Sequence, residues 1–386
     1  SRKRQTHPQL SHTQHIDFHF LSPMSNARAI AFHLPQYHPT PENDEWWGKG
    51  FTEWTNTAKA SPLYPGHYQP HLPADLGYYD LRLPEARHAQ AELAKAYGIE
   101  GFCYYHYWFG GRRILERPVN EILSSGEPDL PFCLCWANHS WSNIWQGVAD
   151  RMLIEQSYPG MDDHKRHFEW LLAAFHDPRY IRVEGKPMFL IYNPPDIPDV
   201  KNVMDYWRSL AAEAGLPGLH LVAVNYRGVP VDPAEFGMDA STWQPLPDKT
   251  GHIPWRYPAL KARMRLARGQ YKLTVLDYSR IMDGLTRKQP PKFTEYPTVL
   301  PNWDNTPRSG LNGLVLHGST PELFKTVLRR GISLVQQYPS EQRIVFIKAW
   351  NEWAEGNYLE PDQRFGHAYL ETVREALNEA PSDVRA

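Results

Sequence analysis

Eight short strand-like runs, separated mostly by helical stretches, constrain what this 386-residue chain can fold into more than any other feature. They are Ala29 to His33, Gly101 to His106, Phe132 to Trp136, Met188 to Tyr192, Leu219 to Asn225, Met238 to Trp243, Thr298 to Trp303 and Ile344 to Trp350. Short runs rich in Val, Ile and aromatics read as strands, and strands alternating with helices read as a parallel sheet. Eight is the number that a (β/α)8 TIM barrel, an α/β fold, requires. Pro84 to Tyr97 places Ala86, Ala89, Leu93, Ala94 and Ala96 near helical spacing and stops at Gly98, which predicts a helix. Asp162 to Phe175, Val200 to Ala214, Glu322 to Gln337 and His367 to Leu377 predict further helices. A doubly wound sheet is the rival architecture, but no Gly-rich dinucleotide loop follows the first run.

The ends of the runs carry a second message. Polar or aromatic residues close most of them, and a core has no use for such endings; in a barrel they converge on the C-terminal mouth. Residues expected to line that mouth and bind substrate are Tyr37, Trp54, His106, Trp136, Asn138, Tyr192, Trp243, Trp303, Asp304 and Asn351. Two excursions interrupt the alternation. Residues 36–81 hold Trp46, Trp47, Glu53 and Trp54 among many prolines and glycines, and predict a loop folded over the mouth. Residues 249–289 are basic and polar, and predict a solvated helical insertion. The expected organisation is one catalytic domain over residues 28–386 with these two insertions, after a polar, His-rich and disordered extension over residues 1–27.

The chemistry concentrates in Trp350-Asn351-Glu352-Trp353-Ala354-Glu355-Gly356, two acids three residues apart at the end of the last run. Desolvation and mutual repulsion would push their pKa values apart, which is the division of labour that glycosidic cleavage needs: one protonated carboxyl and one carboxylate. Tryptophan (14) and tyrosine (21) are abundant, often beside Asn, His, Asp and Gly, as suits sugar binding.

A net charge of −2 gives no basic field to drive binding of nucleic acid or an anionic membrane, and no apolar run reaches membrane-spanning length. Cys103, Cys133 and Cys135 read as core thiols of a reducing compartment. With no signal-peptide h-region near the start, the expected location is the cytoplasm. His33 and His38 lack metal-site spacing, so neither metal nor cofactor is expected.

The blocks AFHLPQYHPTPENDEWWGKGFTEWTN, LGYYDLR, YGIEGFCYYHYWFGG, CWAN, LPNWDNTPR and WNEWAEGNYLEPD resemble the WbsX-type proteins of bacterial surface-polysaccharide gene clusters, relatives of glycoside hydrolase family 99, the endo-α-mannosidases. The resemblance runs from about Ala29 to the C-terminal helix. It implies a barrel acting on a glycan, with Glu355 as general acid/base and Glu352 as base on the sugar's own 2-hydroxyl, by way of a 1,2-anhydro sugar with retention of configuration. The CWAN block continues as His139-Ser140-Trp141, where many relatives carry an acid, so mannoside specificity is not carried over. Expected partners are an oligo- or polysaccharide. Two other functions stand beside hydrolysis: glycosyl transfer in O-antigen or capsule biosynthesis, and carbohydrate binding without catalysis.

Overall fold

A computed structural model describes residues 26–142, 152–225, 231–243, 246–247, 249–267, 270–286 and 289–379. The expected disordered extension lies, up to residue 25, outside the described residues.

Eight parallel strands close into a barrel: β1 (Arg28–His33), β2 (Ile99–His106), β3 (Phe132–Trp136), β4 (Lys186–Ile191), β5 (His220–Asn225), β6 (Ala240–Trp243), β7 (Glu295–Val299) and β8 (Ile344–Ile347). Each pairs with the next, and β8 returns to β1 with Ile30 opposite Phe346, so no edge is left open. The strands are almost wholly buried, as a sheet covered by helices requires. Gly101 lets β2 approach the β3 entry: a Cβ there would meet the carbonyl oxygen of Pro131 at 2.1 Å.

Observed helices fall within two residues of those expected: Pro84–Ala96, Met161–Phe175, Val200–Glu213, Pro321–Val335 and Ala368–Asn378. The helix Pro321–Val335 shows why these segments take that form. Thr320 caps it by accepting from the Leu323 N–H at 3.3 Å, and proline occupies the first turn, where no N–H is needed. Phe324, Val327, Leu328, Ile332 and Val335 then bury one face, each worth about 1.5–3 kcal/mol. Two strands end three or more residues before the expected runs do. β7 stops at Val299, before Pro301, which has no N–H to extend the ladder, and β8 stops at Ile347, leaving Lys348 to Trp350 to turn towards the mouth.

The two excursions are built differently. Residues 36–81, expected to be a loop, hold the short helices Pro41–Trp47 and Glu53–Lys59, the first started by Thr40, which accepts from the Asn43 N–H, and by Pro41 in its first turn. Residues 249–289, expected to be helical, hold the helices Pro258–Leu266 and Ser279–Thr286 and also the strand Thr274–Asp277, which pairs in parallel with Leu314–His317. Apolar residues spaced by two in Leu273-Thr274-Val275 account for that strand; Leu273 and Val275 join Tyr64, Ile253, Leu260 and Val315 in a small core of their own. Cys103, Cys133 and Cys135 are buried free thiols.

Candidate active site

The turn after β8 is held by its own sequence. Asn351–Glu352 pairs antiparallel with Asn357–Tyr358, and Trp353–Glu355 forms a single 3-10 turn between them. Gly356 closes the turn at φ +57, with the Asp304 backbone so near that a Cβ would lie 3.0 Å from its nitrogen. The Asp304 N–H donates to the Glu355 carbonyl at 2.6 Å. Both flanking tryptophans are buried: Trp353 stacks on Tyr358 with ring centroids 3.8 Å apart and donates its Nε1–H to Glu360 at 2.6 Å.

Glu352 and Glu355 open into a cleft of about 200 Å³. Its floor comes from strand ends, through Tyr105, Tyr107, His139 and Tyr192; its roof comes from the first excursion, through Gln36, Trp47, Phe51, Glu53 and Asn56. Lys348 and Arg308 divide the acids. Lys348 Nζ lies 3.0 Å from Glu352 Oε1, donates to the Tyr105 hydroxyl at 3.1 Å and is 3.9 Å from Glu355 Oε2. Arg308 donates to Glu355 Oε1 at 2.6 Å and to Glu53 at 3.1 Å, and lies 4.0 Å from Glu352.

These contacts set unequal protonation. Burial alone would raise Glu352, but the Lys348 and Arg308 charges outweigh it and bring the carboxylate down to about 2. For Glu355 burial and the Glu352 charge prevail over Arg308 and Lys348, and its pKa rises to about 8. At neutral pH the pair therefore holds one proton, on Glu355. Since Oε1 accepts from Arg308, that proton belongs on Oε2, which is buried, lies 3.9 Å from Lys348 Nζ and is free to donate to the Glu352 carboxylate. Burial raises Glu53 as well, against its pairing with Arg308.

The residues expected at the mouth divide sharply. Tyr192 lines the cleft beside Glu352 and Glu355. Tyr37 lies behind it, its hydroxyl bonded to the Asn351 carbonyl and to the Trp353 N–H. Trp54 is packed between Tyr37 and Trp353 and donates to the Tyr79 carbonyl at 2.8 Å. Asn351 ties β1 to the turn: it accepts from the Leu34 N–H at 2.8 Å and donates to the Leu34 carbonyl at 3.1 Å. Asn138 clamps the loop after β4 in the same way, through both polar groups of the Asn193 backbone.

Others face away. His106 stacks on Trp170 and meets His167 at 2.8 Å, while Trp136 packs on His167 and Trp207, all on the helix side of the barrel. Trp243 is half-buried and is not among the residues lining the cleft. Trp303 is buried with Lys348 over its ring at 5.6 Å. Asp304 accepts from His67, Gln69 and Thr306 and thereby braces Glu355 from below. Sequence reasoning passed over Lys348, Arg308, Tyr105 and Tyr107, and named Glu53 and His139 without counting them among the substrate-binding residues. Lys348 had a legible signal, a lysine following an apolar strand, because a buried ammonium needs an anion.

The family described as Glycosyltransferase WbsX matches residues 29–373. Two relatives, each described as Uncharacterized protein WxcX and drawn from two strains of Xanthomonas campestris pv. campestris, are 41% identical over 357 residues, 92% of this chain and 50% of theirs. The chain thus spans about half the length of the curated relatives it matches. Among solved structures, a glycoside hydrolase-like protein superposes with a TM-score of 0.58 at 16% identity, covering 92% of this chain and 95% of that one. The GH99 endo-α-mannosidase of Bacteroides thetaiotaomicron gives 0.53 at 14% identity, covering 94% and 100%. Likeness at that level of identity speaks for the barrel.

Proposed function

We propose, from the premise that this chain belongs to the WbsX glycosyltransferase family, that it is a retaining glycoside hydrolase acting on a bacterial surface polysaccharide or its precursor. The observation that carries the reading is geometric: two buried carboxyls share one cleft, with Lys348 3.0 Å from Glu352 and Arg308 2.6 Å from Glu355. In that setting the cations favour an ionised Glu352, while burial and the Glu352 charge favour a protonated Glu355.

In the proposed reaction Glu352 accepts the proton of the sugar's 2-hydroxyl, whose oxygen attacks C1. The C1–O bond to the leaving group breaks, and Glu355 Oε2 delivers its proton to the departing oxygen. Water then opens the 1,2-anhydro sugar at C1, giving its proton to Glu355, while Glu352 returns the first proton to O2. Two displacements at C1 restore the starting configuration. Lys348 and Arg308 keep Glu352 ionised, which makes it a weak base that takes the proton late in the first step. Trp47, Phe51 and Trp141 line the cleft and offer aromatic faces on which sugar rings stack.

Glycosyl transfer is the second reading, favoured by the family's name. The stretch directly after β1, Leu34-Pro35-Gln36-Tyr37-His38-Pro39-Thr40, offers no glycine-rich phosphate cradle. Purified protein incubated with the cognate polysaccharide and no nucleotide sugar tests the choice. Release of reducing ends supports hydrolysis; no release without a nucleotide sugar supports transfer. Release at wild-type rate by both Glu352→Gln and Glu355→Gln overturns the assignment of the acids.

A further inference from the structure

The net charge of −2 conceals a strongly basic segment: residues 249–289 contain ten Lys or Arg against two Asp. Within that segment the helix Pro258–Leu266 uses one side for packing. Leu260 is buried with Ile253, Val275 and Tyr64, and Met264 and Tyr257 rest on the same small core. The other side is apolar too, and exposed. Ala259, Ala262 and Leu266 follow one another at helical spacing, and Trp255 precedes Ala259 by four residues. Trp255 is 87% exposed and Leu266 83%, the two highest values for large apolar side chains among the described residues. Arg263 and Arg265 flank this stripe, both exposed and without an ion pair among the described residues.

We infer that this face docks onto the headgroup layer of an anionic lipid bilayer, Trp255 and Leu266 entering the interface and the arginines meeting lipid phosphates. An exposed Trp and Leu beside unpaired arginines suit the interfacial layer of a bilayer, where a Trp ring sits at headgroup level and arginine meets phosphate, and no helix among the described residues is long and apolar enough to cross a membrane. Basic side chains near an anionic leaflet each add to binding. A second copy of the chain fits less well, because a stable protein interface buries about 1,200 Å² or more with few charges at its centre, whereas this stripe is one residue wide and bordered by arginine.

The segment that carries the face sits at the C-terminal end of the barrel. It follows the C-terminal end of β6, and Tyr257 packs on Tyr64, Tyr64 on His67, and His67 bonds Asp304 beneath Glu355. Docking would thus hold that end of the barrel near glycans carried at the same surface. That last consequence rests on the hydrolase reading; the docking does not.

Flotation of the full chain with vesicles tests it, comparing phosphatidylcholine alone with phosphatidylcholine carrying about one-third phosphatidylglycerol. Recovery with the anionic vesicles is expected to exceed that with neutral ones by about tenfold, to fall on adding salt, and to fall about tenfold in both Trp255→Ala/Leu266→Ala and Arg263→Glu/Arg265→Glu. All four positions are exposed, so unchanged melting of the variants separates docking from folding. Equal recovery with both vesicle types, no recovery with either, or wild-type recovery by both variants overturns the proposal. So does a concentration-dependent dimer that the Trp255→Ala/Leu266→Ala variant abolishes, or binding to a soluble acidic polysaccharide with none to vesicles. Because soluble-oligosaccharide cleavage by the same variants is measured alongside, failure of docking and failure of the hydrolase reading give different results.

Discussion

Replacing Glu355 with Gln should abolish cleavage and at the same time stabilise the fold in alkaline solution. Burial and the charge of Glu352 raise this carboxyl from 4.5 to about 8. A group whose folded pKa is raised holds its proton more tightly in the native state, so the stability it contributes is fully present below pH 4.5 and is lost as the pH climbs through about 8. At about 1.4 kcal/mol per pH unit, the interval corresponds to roughly 5 kcal/mol as an upper bound. The side chain is only 14% exposed, so solvent screening removes little of it. Gln cannot ionise, yet keeps an oxygen to accept from Arg308. With an unfolding entropy of about 2.1 cal/mol/K per residue, the gain is worth at most about 6 °C in a chain of 386 residues. Scanning calorimetry of both proteins at pH 5, 7 and 9 measures the difference, with effects common to the two cancelling. The melting temperatures should coincide near pH 5 and separate in favour of the variant by pH 9. A difference that stays flat, or that turns against the variant as pH rises, would refute the argument.

Three further predictions follow the same contacts. Glu352→Gln removes the anion beside Glu355, so the Glu355 pKa read by carbon NMR should fall below about 8; an unchanged value would mean that burial alone sets it. Lys348→Met leaves Glu352 buried without its partner at 3.0 Å, which should cost about 3–5 kcal/mol in urea unfolding at pH 7. An unaltered midpoint would show that Arg308 suffices. Asp304→Asn sets an amide NH2 among the groups that donate from His67, Gln69 and Thr306, and should cost about 2–3 kcal/mol and lower kcat by displacing Glu355, whereas a fall in stability with unchanged kcat would deny it that positioning role.

The barrel was legible because each strand is a short apolar run bounded by breaks, and closure leaves every run buried on both faces. The mouth was legible as a place but not residue by residue, for two physical reasons. Side chains along a strand alternate in direction, so a shift of one position chooses the opposite side. His106 and Trp136 face the helices, whereas their neighbours Tyr105, Tyr107 and Ala137 face the cleft. Polar strand ends also have a second use, which Asn138, Asn351 and Asp304 illustrate. Their hydrogen bonds satisfy buried loop backbone and neighbouring side chains: Asn138 holds the loop after β4, while Asn351 and Asp304 hold the turn that carries the acids. Arg308 and Glu53 reach the acids from segments 44 and 299 residues before Glu352 in the chain, a distance that no local pattern encodes.

Digestion of a defined oligosaccharide, with proton NMR of the first-formed product, tests the central claim most directly when the 2-deoxy analogue is run beside it. Participation of the 2-hydroxyl predicts a product of retained configuration and a 2-deoxy analogue that resists cleavage by orders of magnitude. An inverted product, or cleavage of the 2-deoxy analogue at a comparable rate, would contradict the roles given to Glu352 and Glu355.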